Sequence, residues 1–271
     1  MTEYDMHVHT IYSDGVLTPD QIIDMAVSNK ISGIAITDHD TVGGIKNALD
    51  LRERKGIDII PGIEMSATLD GEDVHILGYW MDYEDNDLLA TLSDIRAVRT
   101  HRVEKMVKNL YDYYKINLDI NEVYNEGNHY TLGRPHIARV LVRHGYAGNV
   151  SDAFKKYLNK SSPIYVEKYE LSPEEAVKII VKSGGAPVLA HPGLIGKKVL
   201  IPKIIEAGMY GIEVYHPKHG ADDIRMAKDF AKKYDLIETG GSDFHSPTDG
   251  AIGKCTISYR NVIELKEKLK I

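Results

Sequence analysis

Along this chain, short unbroken apolar runs alternate with segments whose apolar residues recur every three to four positions. The runs "GIAI" (33–36), "IDIIPGIEMSA" (57–67), "DVHILGYW" (73–80), "APVLA" (186–190), "YGIEVY" (210–215) and "LIETG" (236–240) have the length and flanks of buried strands, as does the opening "DMHVH". Between them lie helical patterns with explicit start signals. In "LTPDQIIDMAVSNK", Thr18 is the expected N-cap, Pro19 opens the helix, and Gln21 closes a capping box ahead of the stripe Ile22, Ile23, Ala26 and Val27. "LSPEEAVKIIVKSGG" repeats the device with Ser172 and Glu175, and Gly184 stops it. "LIPKIIEAG" and "ADDIRMAKDFAKKY" each lead into the next strand. About seven strands alternating with helices predict an α/β barrel rather than an open sandwich. Residues 83–162 break the rhythm: they read as helical and charged, with no convincing strand. We therefore expect a barrel from residues 1–82 and 163–271, interrupted by a helical insertion over 83–162 that covers the active site.

Composition narrows the class. With 271 residues, 43% of them hydrophobic, the chain is long enough for one large domain carrying an insertion. A net charge of −7 argues against coating long nucleic acid or an anionic membrane, so an anionic substrate needs a local positive site. Cys255, the single cysteine, excludes an internal disulfide and a cysteine-based zinc cluster; it suits a reducing compartment and a small core position. Neither a leader pattern nor an apolar run of membrane-spanning length is visible, and a cytoplasmic location is the expectation.

The polar residues at the strand ends carry the chemistry. His7 and His9 stand at i, i+2, so a strand aims both imidazoles at one spot. Asp243 and His245 repeat that spacing, and Asp14, His39, Glu64, His75 and His191 stand at or near other strand ends. In a (β/α) barrel the carboxyl ends converge on one mouth. Six histidines and three carboxylates there are too many uncompensated polar groups for a structural core, and too many for one ion. Two or three divalent ions follow, and mixed imidazole and carboxylate donors favour manganese, iron or zinc over magnesium or calcium.

In order, "HVHTIYSDG", "ITDHDT", "GIEMS", "VHILGY", "LAHPG" and "GSDFH" resemble the successive motifs of the PHP (polymerase and histidinol phosphatase) family, over residues 3–82 and about 163–255. The resemblance implies a distorted seven-stranded barrel with a trinuclear metal centre and all nine ligands present. It also implies their sharing: His7, His9, Glu64 and Asp243 on one ion; Glu64, His75 and His191 on a second; Asp14, His39 and His245 on a third. Three divalent ions outweigh three ligand carboxylates, leaving a positive trap for phosphate. The expected nucleophile is metal-bound hydroxide, with no separate protein nucleophile, so hydrolysis of phosphate esters is the natural reaction. No P-loop or nucleophile elbow competes with that reading.

Polar residues beside the mouth leave alternatives open. Asp38 and Asp40 either orient the neighbouring histidine or, for Asp40, cap the next helix. Glu213, His216 and His219 end or follow the sixth strand, and His216 or His219 is a candidate to touch substrate; His101, His129 and His144 read as surface or packing residues.

The insertion points to the substrate. Leu88, Leu92 and Ile95 form an inward stripe whose continuation falls on Arg99, Arg102 and Met106; the alternative rotates the helix onto Val98 and Val103 and leaves both arginines in solvent. In "GRPHIARVL", Arg134 and His136 precede an apolar helical pattern, and arginine suits bidentate phosphate contact. We take Arg99, Arg102, Arg134, His136 and His219 as the substrate-binding candidates. "TDHDT", "GRPHIARVLV" and "LAHPG" resemble the branch of nucleoside 3′,5′-bisphosphate phosphatases and 5′-3′ exoribonucleases. The implied substrates are nucleoside bisphosphates, mononucleotides or short 5′-phosphorylated RNA, with no membrane partner. A histidinol-phosphate phosphatase and a non-catalytic metal-binding module are the alternatives.

Overall fold

The computed structural model describes residues 2–127, 130–167, 171–248 and 250–269; His129 lies outside the described residues. The local signals produce the expected elements. Thr18 accepts from the backbone N–H of Gln21 while the Gln21 side chain accepts from Thr18 N, which starts α1 (Pro19–Ser28). Between β1 (Glu3–Val8) and β3 (Asp58–Leu69) come β2 (Gly33–Ile36) and α2 (Ile45–Lys55). β4 (Glu72–Tyr79) returns antiparallel to β3 through a tight turn at Asp70 and Gly71. After the insertion, Ser172 and Glu175 form the second capping box at α7 (Pro173–Lys182), which feeds β5 (Ala186–Leu189). α8 (Ile201–Glu206), β6 (Gly211–Tyr215), α9 (Ala221–Tyr234) and β7 (Ile237–Gly240) follow; β8 (Ile257–Ser258) and α10 (Tyr259–Glu267) end the described fold.

Among the described residues the strands form one sheet in the order β7-β6-β5-β4-β3-β2-β1-β8. It curls nearly shut, because Val8 pairs in parallel with Phe244 just beyond β7, and His9 N donates to Phe244 O at 3.0 Å. A Cβ on Gly241 would stand 2.3 Å from His7 Cβ, so only glycine lets β7 approach β1 this closely. The seven-stranded barrel expected from the sequence is present, with β8 as a two-residue strand on its edge; so short a run carries no periodicity to read.

Two features depart from a simple (β/α) repeat. β3 does not end near Glu64 but runs on to Leu69, and β4 is antiparallel to both neighbours. His75 therefore reaches the mouth from the interior of a reversed strand, not from a carboxyl end. Its register opposite Ser66 sets it beside Glu64.

The insertion comprises α3 (Asn86–Tyr114), α4 (Ile120–Glu126), α5 (Arg134–Arg143) and α6 (Val150–Ala153), the last running into a π-helical turn. It has an apolar core of its own, including Val103, Met106, Leu110, Val123, Ile137 and Leu141. α3 buries Leu88, Leu92, Ile95, Arg102 and Met106, while Val98 is 40% exposed, so the stripe turns both arginines toward the barrel.

Candidate metal centre

Five histidines from four strands and their ends surround one carboxylate, Glu64, with Asp14, Asp243 and His245 beside them. β1 presents His7, and His9 stands just past its end, both fully buried. Glu64 of β3 points its Oε2 at His7 Nε2 (3.2 Å), His9 Nε2 (3.1 Å) and His39 Nδ1 (3.1 Å). Its Oε1 meets His75 Nδ1 (2.8 Å) and His191 Nε2 (3.1 Å). Asp243 Oδ1 lies 3.5 Å from His7 Nε2 and 3.3 Å from His9 Nε2, while Asp14 Oδ1 lies 3.2 Å from His245 Nε2. Among the described residues, the donor atoms of His7, His9, Glu64 and Asp243 lie within 4.8 Å of one another, as do those of His9, Asp14, His39 and His245, and those of His39, Glu64 and His75. His9 belongs to two of these groups, and His75 and His191 meet on the same Glu64 oxygen.

Backbone strain gathers at the same mouth. His191 and Asp243, with φ of 26° and 49°, adopt the left-handed region that non-glycine residues rarely occupy. Such conformations persist only where the surroundings over-determine them.

Buried donor-capable atoms without a hydrogen-bond partner test whether this centre fits metal. His7 Nε2, His9 Nε2, Asp14 Oδ1, His39 Nδ1 and Glu64 Oε2 are all in that state. Five such atoms would be prohibitive in a merely structural core. Imidazole nitrogen and carboxylate oxygen at this spacing form a donor set for divalent transition metals, so the residues fit the expected group.

Surrounding residues orient the donors. Glu213, fully buried on β6, holds His7 Nδ1 at 3.1 Å and accepts from His191 N at 2.8 Å. That contact turns the Nε2 lone pair of His7 inward. His216 Nε2 lies 3.2 Å from Asp243 Oδ2. Asp38 accepts from Thr10 N, Thr10 Oγ1 and Ser13 Oγ at 2.6–2.7 Å and so fixes the loop after β1. Asp40 neither caps a helix nor touches His39: it accepts from Ser66 N at 2.8 Å and pairs with Arg99. Glu213 stood out in the sequence only by its strand-end position; its two partners lie 206 and 22 residues away.

The substrate candidates divide. A cavity of about 230 Å³ is lined by Asp14, His39 and His75 and also by Arg99, Arg102 and Arg134. His136 and His219 are not among the residues that line this cavity. His136 donates from Nε2 to Ser13 O (2.9 Å) and accepts at Nδ1 from Gly133 N (2.9 Å). His219 donates from Nδ1 to Val214 O (2.9 Å) and accepts at Nε2 from Gly193 N (3.1 Å). With both ring nitrogens used on backbone, each is a neutral tether, and burial lowers both pKa values. His101 is exposed beside Glu104, and His144 pairs with Glu122.

The charges set a pH dependence. Burial alone would lower the pKa of His9, but Asp243 and Glu64 outweigh it and push it up to about 10. His7 and His245 are raised as well, against the same burial, by the carboxylates around them. Burial lowers His39, and the positive neighbours His9 and His75 add to it. Burial raises Asp14, Glu64 and Asp243, yet the histidines prevail and hold all three well below the usual carboxylate range. A raised histidine contributes stability fully below its unfolded pKa near 6.5 and loses it as pH climbs through the folded value; His39 acts oppositely below about 6.5, and the carboxylate contributions vanish only in acid. Metal-free protein is thus expected to melt at lower temperature at about pH 9 than at about pH 6.5. Stabilisation by added metal should grow over the same interval as it displaces those protons. Thermal unfolding with and without metal at both pH values checks this, and a metal-free melting temperature that rises with pH contradicts it.

The PHP domain model matches residues 5–176. The chain is 35% identical to a 3′,5′-nucleoside bisphosphate phosphatase of Chromobacterium violaceum, over 92% of this chain and 90% of that one. It is 32% identical to a phosphoribosyl 1,2-cyclic phosphate 1,2-diphosphodiesterase of Eggerthella lenta (89% and 93% covered), and 32% identical to a 5′-3′ exoribonuclease of Escherichia coli (90% and 85% covered). A crystal structure from Bifidobacterium adolescentis, described as a candidate metal-dependent phosphoesterase, superposes with a TM-score of 0.90 at 29% identity, covering 97% of this chain and 94% of that one.

Proposed function

Because the chain belongs to the PHP domain family and is a metal-dependent phosphoric ester hydrolase, we propose that it hydrolyses phosphate esters of nucleotides: nucleoside 3′,5′-bisphosphates, mononucleotides or short 5′-phosphorylated RNA. One observation carries this reading. Asp14 and His39, each with a buried donor atom that has no hydrogen-bond partner, line one cavity together with three arginines. We assign His7, His9, Asp14, His39, Glu64, His75, His191, Asp243 and His245 as ligands of two to three divalent ions, manganese first, with iron or zinc as alternatives. Ions held there would supply charge neutralisation and an acidified water as nucleophile.

The chain's own residues do the rest. Glu213 and His216 orient His7 and Asp243, and Arg102 and Arg134 receive the phosphate. Arg99, already committed to Asp40, Ser66 and Leu132 O, pins α3 against the barrel. Ile95 and Phe154 give the cavity apolar walls beside the charged ones. Residues 83–162 act as a separate helical unit over the mouth. No helix among the described residues is long and apolar enough to cross a membrane, and a cytoplasmic site of action accords with the one unpaired cysteine.

A product screen tests the proposal, following inorganic phosphate from a nucleoside 3′,5′-bisphosphate, a mononucleotide and histidinol phosphate, and the monoester product from 5′-phosphorylated RNA and a cyclic phosphodiester. The nucleotide substrates should turn over fastest, a chelator should abolish release, and manganese should restore it. Preference for histidinol phosphate would overturn the substrate class, and undiminished activity in metal-free protein would overturn the metal assignment.

A further inference from the structure

The loop carrying Asp14 is held from two sides. Asp38 grips Thr10 and Ser13 from the barrel side. From the opposite side α5 of the insertion meets two successive carbonyls: His136 Nε2 donates to Ser13 O at 2.9 Å, and Arg139 Nη2 donates to Asp14 O. His136 and Arg139 stand at i, i+3 and so share one face of the helix. Arg139 also faces Glu126 of α4, its Nε lying 3.9 Å from Oε1, and its side chain is only 18% exposed. By contrast, His7 and Asp243 take their orienting contacts from within the barrel, through Glu213 and His216.

We propose that α5 is the outer support of the metal subsite that contains Asp14, so that Arg139 is a positioning residue for one ion of the centre and His136 its companion. The inference rests on the reading of Asp14 as a ligand. Its physical basis is simple. A carboxylate binds metal well only if its backbone is fixed, and here two of the fixing donors come from outside the barrel. Freed of Arg139, the loop keeps its inner anchor at Asp38 but loses the clamp at the ligand's own carbonyl. Among the described residues no other ligand has its own backbone carbonyl held by a side chain of the insertion, so the loss should be confined to one ion. Groups that orient metal ligands are typically worth 10–100-fold in metal affinity. The insertion would then shape the metal centre itself, besides walling the cavity.

Manganese titration of the full chain, read by competition with a chelating dye and by ion count, tests this on wild type, Arg139→Met, Arg139→Lys and Asp14→Asn. Arg139→Met should bind one ion per chain about 10- to 100-fold more weakly and the rest as wild type does. Arg139→Lys, which keeps a cationic donor, should recover most of that loss, and Asp14→Asn should lose the same ion outright. Wild-type titration of Arg139→Met, or uniform weakening of every ion, overturns the proposal. An unchanged ion count and affinity in Asp14→Asn overturns instead the reading of Asp14 as a ligand. Should Arg139→Met fail to fold, Arg139→Gln on the same partly exposed face is read against the same outcomes.

Discussion

Replacing Glu64 with glutamine is expected to lower turnover by about 10³-fold or more and to strip metal from the protein while the barrel persists. Glu64 is 1% exposed, and its two oxygens lie within 3.2 Å of nitrogens from five histidines. Glutamine keeps the shape of the side chain but removes the negative charge and points an amide donor at atoms that need an acceptor. Charge stabilisation by bound metal is worth several kcal/mol, and each ~1.4 kcal/mol is tenfold in rate, so losing about 4 kcal/mol gives the stated factor. Apolar packing on the face of β3 opposite Glu64, by Ile63 and Met65, is untouched, so the far-ultraviolet spectrum should be that of the wild type. Elemental analysis and phosphate release on the same sample decide the matter. A Glu64→Gln protein holding its full complement of metal and a tenth or more of its turnover would show that Glu64 is no shared ligand.

The second large effect belongs to Arg102. Its Nε donates to Val166 O at 2.7 Å, its guanidinium lies 5.3 Å from the centre of the Tyr165 ring, and its Nη2 is buried with no hydrogen-bond partner. Burial, with Arg134 close by, lowers its pKa to about 10, so it stays charged at neutral pH. Under the proposed function, this buried, charged and partly unsatisfied guanidinium on a cavity wall would receive an anionic group of the substrate. A hydrogen bond to a charged group contributes about 1.5–3 kcal/mol, so Arg102→Met should lower kcat/KM by roughly ten- to 150-fold on a nucleoside bisphosphate. An aryl phosphate that reaches only the metal ions should lose far less. Arg99→Met makes the contrast, because that side chain is already spent on Asp40, Ser66 and Leu132 O and its loss should affect both substrates alike. Arg134, stacked near Phe154 and Tyr165 and 3.8 Å from Asp73, should fall between them. Equal losses on both substrates for Arg102→Met would place Arg102 in the scaffold.

Local chemistry made much of this legible in advance. The capping boxes at Thr18 and Ser172 are short-range devices that act within one turn, and both formed as their sequences dictate. The alternation of β1 follows from strand geometry alone, which is why His7 and His9 stand together. The stripe of Leu88, Leu92 and Ile95 carried the helical phase correctly onto Arg102, because a helix repeats its face without reference to the rest of the fold.

What sequence could not decide depends on the far side of each contact. His136 and His219 look like free imidazoles until the fold supplies Ser13 O and Val214 O as their acceptors. Asp40 looks like a cap or a histidine partner until α3 brings Arg99 to it. The reversal of β4, which delivers His75, is set by the Asp70–Gly71 turn and by pairing along the whole of β3, and no periodicity encodes strand direction. Glu213 is one more buried carboxylate until closure of the barrel lays it between His7 and His191. The sequence by itself determined which elements form and which side chains share a face, since those follow from interactions a few residues long. Only the tertiary structure decided which polar atoms are left without partners, because a hydrogen bond across some two hundred residues exists only once the barrel has closed.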